Sequence, residues 1–182
     1  INVARVVTRL GGQAFATGFL GGHNGQFIAD SLREEGIPGE FVTVEGESRT
    51  CIAAVDHVRR SQTEINEVGP TIGEGELAAF RLLYERLVRE VKPAFVVLSG
   101  SLPVGVPDNT YSALCEAAKR GGVRCVLDAS GQALREGATA QPWMIKPNCI
   151  ELEHLCGLRG DTPARVAELA ASIVAAGVEV VV

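Results

Sequence analysis

The sequence has neither an excess of positive charge nor a long hydrophobic run. Its 182 residues include 17 basic and 22 acidic side chains, which gives a net charge of −5. This balance provides no general attraction to nucleic acid, so an anionic ligand would need a local cationic site. No apolar run approaches the roughly 20 residues that cross a bilayer, and no signal peptide is visible after Ile1. We therefore expect no nucleic-acid partner and no membrane association.

Motifs of metal-binding or redox cysteines are also absent. The five cysteines, at positions 51, 115, 125, 149 and 156, are odd in number and form no C-x-x-C pair. This pattern favours a reducing, cytoplasmic compartment. Cys125 lies in an apolar run and is expected to be a small buried hydrophobe. The three histidines lack the spacing of paired metal ligands, so we interpret His23, His57 and His154 as structural or surface residues.

The chain does contain a regular alternation of helix and strand patterns. We predict helices over about 3–10, 24–35, 74–91, 108–120, 131–136, 149–156 and 163–176. We predict strands over about 14–20, 40–44, 94–98, 123–127, 143–146 and 178–182. This order is typical of a layered α/β fold with a mostly parallel sheet, and the length suits one domain.

Several of these elements carry more specific expectations. Asn24 is a candidate cap for its helix, with Phe27, Ile28 and Leu32 on the inner face. The helix over 74–91 is strongly amphipathic, with an apolar side formed by Leu77, Phe80, Leu83, Tyr84, Leu87 and Val91. The continuous apolar run at 94–98 predicts a parallel strand that is covered on both faces.

The segment from Glu47 to Glu67 has a different pattern. It mixes Thr, Val and Ile with charged residues and has no helix-length apolar stripe. We interpret it as two or three antiparallel strands with one solvated face, with Arg59 and Arg60 at a hairpin tip. Arg49, at the start of this insert, could form bidentate bonds to a phosphate. An exposed strand arginine is the alternative for Arg49.

Small and polar residues follow three successive predicted strands. These are the runs Ser99–Pro103, Asp128–Gly131 and Lys146–Asn148. Ligands of open α/β sheets bind outside the carboxyl ends of the strands, so these runs suggest a shared polar cleft. Each also has a simpler interpretation, because Ser99 to Ser101 could be a tight turn and Asp128 a cap or turn former.

The run from Ile145 to Leu152 is the most informative of the three. Asn148 precedes Glu151 by the spacing of a capping box, which would satisfy the first turn of a helix. The same helix start would also attract phosphate. Lys146 directly after an apolar strand favours an anionic partner. Both interpretations stay open from these residues alone.

Together these residues resemble the PfkB, or ribokinase-superfamily, sugar-phosphate kinases, in the branch of 1-phosphofructokinase and tagatose-6-phosphate kinase. The matching runs occur in the family's order over the whole chain: 1–6, 18–22, 46–49, 63–67, 69–70, 98–103, 127–134 and 145–148 with Glu151. The resemblance implies a ribokinase-like three-layer α/β/α fold with a mostly parallel sheet and a small antiparallel β lid. The core would be residues 1–45 and 70–182, incomplete at both ends, and the lid would be 46–69.

The resemblance also implies roles for individual residues. Asn2, Arg49 and Ser101 would bind the sugar phosphate. Lys146 and Asn148 would face the nucleotide phosphates, and Glu151 and Asp128 would hold Mg²⁺ through water. The implied cofactors are ATP and Mg²⁺, and the implied partners are a sugar-phosphate substrate and a second copy that forms a homodimer through the lid.

The implied reaction is in-line phosphoryl transfer, which depends on positioning and charge stabilisation. The leading substrate is fructose 1-phosphate, converted to fructose 1,6-bisphosphate. The alternatives are tagatose-6-phosphate or fructose-6-phosphate kinase and, in another class, a non-catalytic sugar-phosphate-binding or regulatory protein. The family's first strand and its catalytic-base region are not matched. We therefore expect the base C-terminal to Val182, no catalytic residue in this chain, and an inactive 182-residue fragment.

Overall fold

The computed structural model describes all 182 residues, which form seven helices and eight strands. The helices are α1 (Asn2–Arg9), α2 (Gly22–Glu34), α3 (Glu74–Val91), α4 (Thr110–Arg120), α5 (Gly131–Thr139), α6 (Cys149–Cys156) and α7 (Pro163–Ala175). The strands are β1 (Ala16–Leu20), β2 (Gly39–Thr43), β3 (Cys51–Asp56), β4 (Ser61–Asn66), β5 (Phe95–Ser99), β6 (Arg124–Asp128), β7 (Met144–Ile145) and β8 (Val180–Val181). The predicted order of helices and strands is confirmed along the chain.

The chain divides into two compact units. The first comprises residues 1–80 and 103–106, and the second comprises residues 81–102 and 107–182. The division falls within α3, so its first turns belong to the first unit and its remaining turns to the second.

The first unit is built around a parallel pair of strands. β1 and β2 pair in register from Ala16 opposite Gly39 to Leu20 opposite Thr43, with α2 between them in the chain. One apolar cluster consists of Ala16, Leu32 and Ile37, and a second consists of Val44, Ile72 and Leu77. These clusters bury Leu32 of α2 and Leu77 of α3, which the sequence pattern placed on the apolar sides of their helices.

An antiparallel hairpin, β3–β4, completes the first unit. Its register runs from Cys51 opposite Asn66 to Asp56 opposite Ser61. The Asp56 carboxylate accepts hydrogen bonds from the amides of Val58 and Arg59, which closes the turn. The predicted antiparallel strands and the turn at Arg59 are confirmed. The expectation of a single solvated face is wrong, because the side chains on both faces of the hairpin are almost all exposed.

The second unit contains a four-stranded parallel sheet in the order β5-β6-β7-β8. Its core includes Leu127, Leu134 and Ile145, each at most 1% exposed. The Tyr84 hydroxyl donates to the Leu114 carbonyl oxygen at 2.9 Å, and burial raises the pKa of Tyr84. Parallel strands thus dominate as expected, although they form two separate hydrogen-bonded sheets, β1–β2 and β5–β8.

Three details of the helix predictions are wrong. Asn24 does not cap α2, since the helix begins at Gly22 with Gly21 in the cap position. The Phe27 side chain, expected to face inward, is 72% exposed, and Val91, at the last turn of α3, is 44% exposed. Each lies at the margin of the apolar stripe of its own helix. The central residues of these stripes, such as Leu32 in α2 and Tyr84 in α3, are buried.

The expectation that strand 94–98 is covered on both faces is also wrong. β5 lies at the edge of its sheet, and Phe95 and Val97 on one face are 42% and 40% exposed. The other face is buried at Leu98. Phe95 is partly covered by Trp143, at 5.1 Å between ring centres, and by the Arg124 guanidinium.

The remaining sequence expectations concern membranes and cysteines. None of the helices has the length and apolar character that a membrane crossing needs. All five cysteines are free thiols, and Cys125 is buried as predicted.

The helical leucines provide a direct test of the core of the second unit. Leu134→Ala in α5 removes a side chain that is 1% exposed, so it should lower the free energy of unfolding by about 2–5 kcal/mol. Leu82→Ala in α3, where the side chain is 70% exposed, is the matched control and should change it by about 0.5 kcal/mol or less. Urea denaturation measures both, and equal losses would contradict this assignment of the core.

Candidate active site

The strand register of the second unit brings polar residues together at one edge of the sheet. Ser99 at the end of β5 pairs with Asp128 at the end of β6. Leu127 pairs with Ile145, so Lys146 follows β7 at the level of Asp128. The carboxyl ends of parallel strands share one edge, and the three side chains therefore converge there.

An ion pair connects the two charged members of this edge. Lys146 Nζ lies 3.0 Å from Asp128 Oδ1, and the Ser99 hydroxyl donates a long 3.4 Å hydrogen bond to Asp128 Oδ2. The Lys146 and Asp128 side chains are 54% and 35% exposed. Ion pairs this exposed contribute only about 0–1 kcal/mol, so a phosphate or cation could replace either partner at little cost.

The loop after β5 is held by two further hydrogen bonds. The Gly100 amide donates to the Asp128 carbonyl oxygen, and the Tyr111 hydroxyl donates to the Gly100 carbonyl oxygen, both at 3.0 Å. Gly100 has a φ of +101°, which favours glycine. Burial, and secondarily the charge of Asp128, raises the pKa of Tyr111 to about 12, so its hydroxyl remains a donor at neutral pH. These bonds fix the backbone directly before Ser101.

The start of α6 has the complete capping box that the sequence pattern suggested. Asn148 Oδ1 accepts from the Glu151 amide at 2.9 Å, and Glu151 Oε2 accepts from the Asn148 amide at 2.8 Å. The cap uses one polar atom of each side chain. Asn148 Nδ2 remains as a donor and Glu151 Oε1 as an acceptor, so capping and ligand binding are compatible at these residues.

The donor set at this edge fits a magnesium–nucleotide ligand. Mg²⁺ prefers oxygen ligands and keeps several waters, which suits isolated carboxylates such as Asp128 and Glu151. No cluster of three or more His, Cys, Asp or Glu side chains forms a dedicated metal cage. Lys146, Asn148 Nδ2 and the first amides of α6 provide the donors that phosphate oxygens require.

The remaining predicted residues lie elsewhere in the chain. Ser101 lies in the loop after β5, in the second unit. Asn2 is the first residue of α1, and Arg49 lies between β2 and β3, both in the first unit and both exposed. In the second unit, the structure thus groups Asp128 with Lys146 and Asn148 with Glu151. In the first unit, Arg49 lies in residues 46–50, the root of the hairpin.

The root of the hairpin contains one residue to which the sequence pattern assigned no role. Glu47, two positions before Arg49, accepts hydrogen bonds from the amides of His23 and Asn24 at the start of α2. No spacing signal could have identified this contact, because the carboxylate and its donors are more than 20 residues apart in the chain. It also explains why Asn24 is not the cap of α2.

Comparison with known proteins gives a consistent result. A model of the pfkB family of carbohydrate kinases matches residues 1–182. A tagatose-6-phosphate kinase of Staphylococcus epidermidis is 40% identical over 157 residues, which is 85% of this chain and 49% of that protein. The chain therefore spans about half the length of this curated relative.

Two solved structures extend the similarity to the fold. A Thermotoga maritima protein described as "Possible 1-phosphofructokinase" has a TM-score of 0.89 and 29% identity, over 99% of this chain and 57% of that one. Phosphofructokinase-2 of Escherichia coli, in complex with fructose 6-phosphate, has a TM-score of 0.85 and 31% identity, over 99% of this chain and 59% of that one. These are ribokinase-like α/β proteins, which confirms the fold that the family resemblance implied.

Asn148 offers a way to separate capping from ligand binding. Asn148→Asp keeps an oxygen for the Glu151 amide but replaces the Nδ2 donor with an anionic oxygen. We expect unchanged stability and at least about tenfold weaker ATP binding, because a charge-assisted hydrogen bond is replaced by repulsion. Thermal denaturation and calorimetric ATP titration of the full-length protein measure the two effects.

Asn148→Ala is the control for this pair of measurements. It removes both the cap and the donor, so it should cost about 1 kcal/mol of stability and also weaken ATP binding. Unchanged ATP affinity in both variants would leave Asn148 with a capping role alone.

Proposed function

Because the chain belongs to the pfkB family of carbohydrate kinases, we propose that the protein containing it transfers the γ-phosphoryl group of ATP to a hydroxyl of a sugar phosphate. The observation that carries this proposal is the grouping of Lys146, Asp128 and the capped start of α6 at one sheet edge. This edge combines a cation, a carboxylate and helix amides, which together suit a metal-bound polyphosphate. Phosphoryl transfer needs such positioned charges more than it needs covalent chemistry.

Each residue of this edge has a proposed part in holding the donor. Lys146 and Asn148 Nδ2 bind and orient the nucleotide phosphates. Glu151 Oε1 and Asp128 hold Mg²⁺ through water. A bound Mg²⁺ would neutralise phosphate charge during transfer. Lys146 Nζ lies 3.0 Å from Asp128 Oδ1, so the side chains that would hold the phosphate and the Mg²⁺ lie next to each other.

The acceptor side of the reaction is assigned to three other residues. We propose that Arg49 binds the phosphate of the sugar, with Ser101 and Asn2 as further contacts. Arginine is suited to this role, since its planar guanidinium makes two parallel bonds to phosphate oxygens. Residues 46–69 would act as a lid on a core of residues 1–45 and 70–182, excluding water from the transfer.

The leading substrate remains fructose 1-phosphate, with fructose 1,6-bisphosphate as product. The tagatose-6-phosphate kinase from Staphylococcus epidermidis and the complex of Escherichia coli phosphofructokinase-2 favour tagatose 6-phosphate and fructose 6-phosphate as alternatives. A non-catalytic sugar-phosphate-binding protein is the second class of candidate. We also propose that the catalytic base lies C-terminal to Val182.

Two further proposals concern the whole protein. The exposed hairpin pairs Ile52 directly with Ile65, which are 54% and 58% exposed. A two-stranded hairpin is marginal by itself, so its apolar face favours a homodimer formed through the lid. The five free thiols suit a cytoplasmic location.

A substrate panel tests the proposed reaction. Fructose 1-phosphate, fructose 6-phosphate and tagatose 6-phosphate are compared as acceptors for the full-length protein in a coupled ADP-release assay. We expect turnover with at least one of them, with the highest kcat/KM for fructose 1-phosphate. Residues 1–182 alone are the control and should show none. Tight binding without turnover by the full-length protein would favour the non-catalytic class instead.

Arg49 provides the test of the phosphate assignment. Arg49→Ala should raise KM for the sugar phosphate by about 100-fold, since it removes a charge-assisted bidentate contact, and should leave KM for ATP within about twofold. Arg59→Ala, at the exposed tip of the same hairpin, removes the same charge and should change neither KM. Equal increases in both KM values for Arg49→Ala would contradict the assignment.

A further inference from the structure

The segment from Gly46 to Thr50 is attached to the start of α2 through Glu47. Glu47 Oε1 accepts a hydrogen bond from the His23 amide, and Oε2 accepts one from the Asn24 amide, both at 3.0 Å. His23 Nδ1 lies 3.2 Å from Oε1. The carboxylate thus supplies the acceptors that the first turn of α2 needs, since the helix has no cap from its own side chains.

Ser48 adds a second set of bonds at the same place. Its hydroxyl accepts from the Gly21 amide at 3.0 Å, and its own amide donates to the Gly21 carbonyl oxygen at 2.9 Å. Asn24 Nδ2 donates to the Ser48 carbonyl oxygen at 2.9 Å. Ser48 is only 9% exposed, so these bonds are shielded from water.

The other side of Arg49 is also fixed. The Thr50 amide donates to Glu67 Oε2 at 2.9 Å, and the Glu67 amide donates to the Thr50 carbonyl oxygen at 3.2 Å. A β-carbon built at Gly69 would lie 3.7–3.9 Å from the aliphatic carbons of Arg49, so the stem of the arginine runs along this glycine. Arg49 is therefore held by its backbone on both sides and by contact along its stem.

The charge of Glu47 suits this attachment. Hydrogen bonds from the Asn24 and His23 amides, and then from the His23 ring, lower the pKa of Glu47 below its usual range. The group is ionised at neutral pH, and it lies at the positive end of the helix dipole of α2. The carboxylate itself would repel a phosphate, so its part is to hold the chain and not to touch the ligand.

We propose that Glu47 is a positioning residue for Arg49. By bonding the first amides of α2, it sets the place and direction from which the arginine reaches the substrate's phosphate. This role rests on the proposed function, in which Arg49 binds the sugar phosphate. Arg49 makes the contact, and Glu47 determines how precisely it is made.

A double-mutant cycle tests the dependence of Arg49 on Glu47. Wild type, Glu47→Ala, Arg49→Ala and the double variant of the full-length protein are compared with the best acceptor of the substrate panel. Glu47→Ala should raise KM for the sugar phosphate by about tenfold, because a displaced guanidinium loses its paired bonds, with KM for ATP within about twofold. The double variant should be no worse than Arg49→Ala.

Calorimetric titration of the same sugar phosphate gives a second readout that does not depend on turnover. It should show the same pattern of affinities across the four proteins. If Glu47→Ala fails to fold, Glu47→Gln completes the cycle, because it keeps one acceptor oxygen and should give a smaller increase in KM. Glu34→Ala is the charge-matched control on the exposed side of α2 and should change nothing.

The outcomes separate this inference from the proposed function. The positioning role of Glu47 would be overturned if the increases in KM for the sugar phosphate multiplied in the double variant. It would also be overturned if Glu47→Ala left the sugar-phosphate affinity unchanged. In both cases the role of Arg49 would stand. An unchanged affinity in Arg49→Ala would instead overturn the phosphate assignment, and with it the basis for this role of Glu47.

Discussion

The first amides of a helix need hydrogen-bond acceptors, and the functional regions of this chain are built around that need. α2 obtains its acceptors from Glu47, and α6 from the reciprocal pair Asn148 and Glu151. At α3, Glu76 accepts from the Gly73 amide and also from the Glu45 amide. A strand-to-helix turn without such acceptors would lose stability, and the same amides also attract phosphate. Stability and ligand binding therefore draw on one set of donors.

The helix starts satisfy this need in two different ways. At α6 the capping box satisfies the Asn148 and Glu151 amides from within the first turn, and Asn148 Nδ2 and the other first amides of the helix are left for a ligand. At α2 the acceptor comes from the segment that leads into the hairpin, so capping the helix also fixes that segment. In the proposed function, the first arrangement contributes donors to the phosphate site, and the second holds the segment that contains Arg49. The net charge of the chain is −5, so its overall composition gives no attraction for an anionic ligand. Local donors must provide that attraction.

The difference between the two arrangements explains what the sequence could predict. The box at α6 depends on residues three positions apart, and its pattern was visible in the chain. The alternation of strands and helices was also visible, because apolar periodicity is local. The acceptor for the first turn of α2, Glu47, was not visible in the sequence. Asn24 had the right residue type for a cap, but the actual acceptor lies far along the chain. The predicted burial of Phe27 and Phe95 was wrong for the same reason. Both belong to apolar runs, but which side of a helix or strand is covered depends on distant residues that pack against it. The ion pair of Lys146 with Asp128 lies between these cases, since strand ends were predictable and strand neighbours were not.

Gly22 gives this attachment an unusual dependence on a residue that has no side chain. Its φ of +64° already favours glycine, and a β-carbon there would fall inside the space of the Glu47 carboxyl group. Any larger residue at this position must therefore expel the carboxylate as well as strain the turn. Positions 22 and 47 therefore depend on each other, although one lies at the start of a helix and the other at the root of a hairpin. If this hairpin, with Glu47 at its root, were grafted onto another protein, the position that corresponds to Gly22 would also have to be glycine.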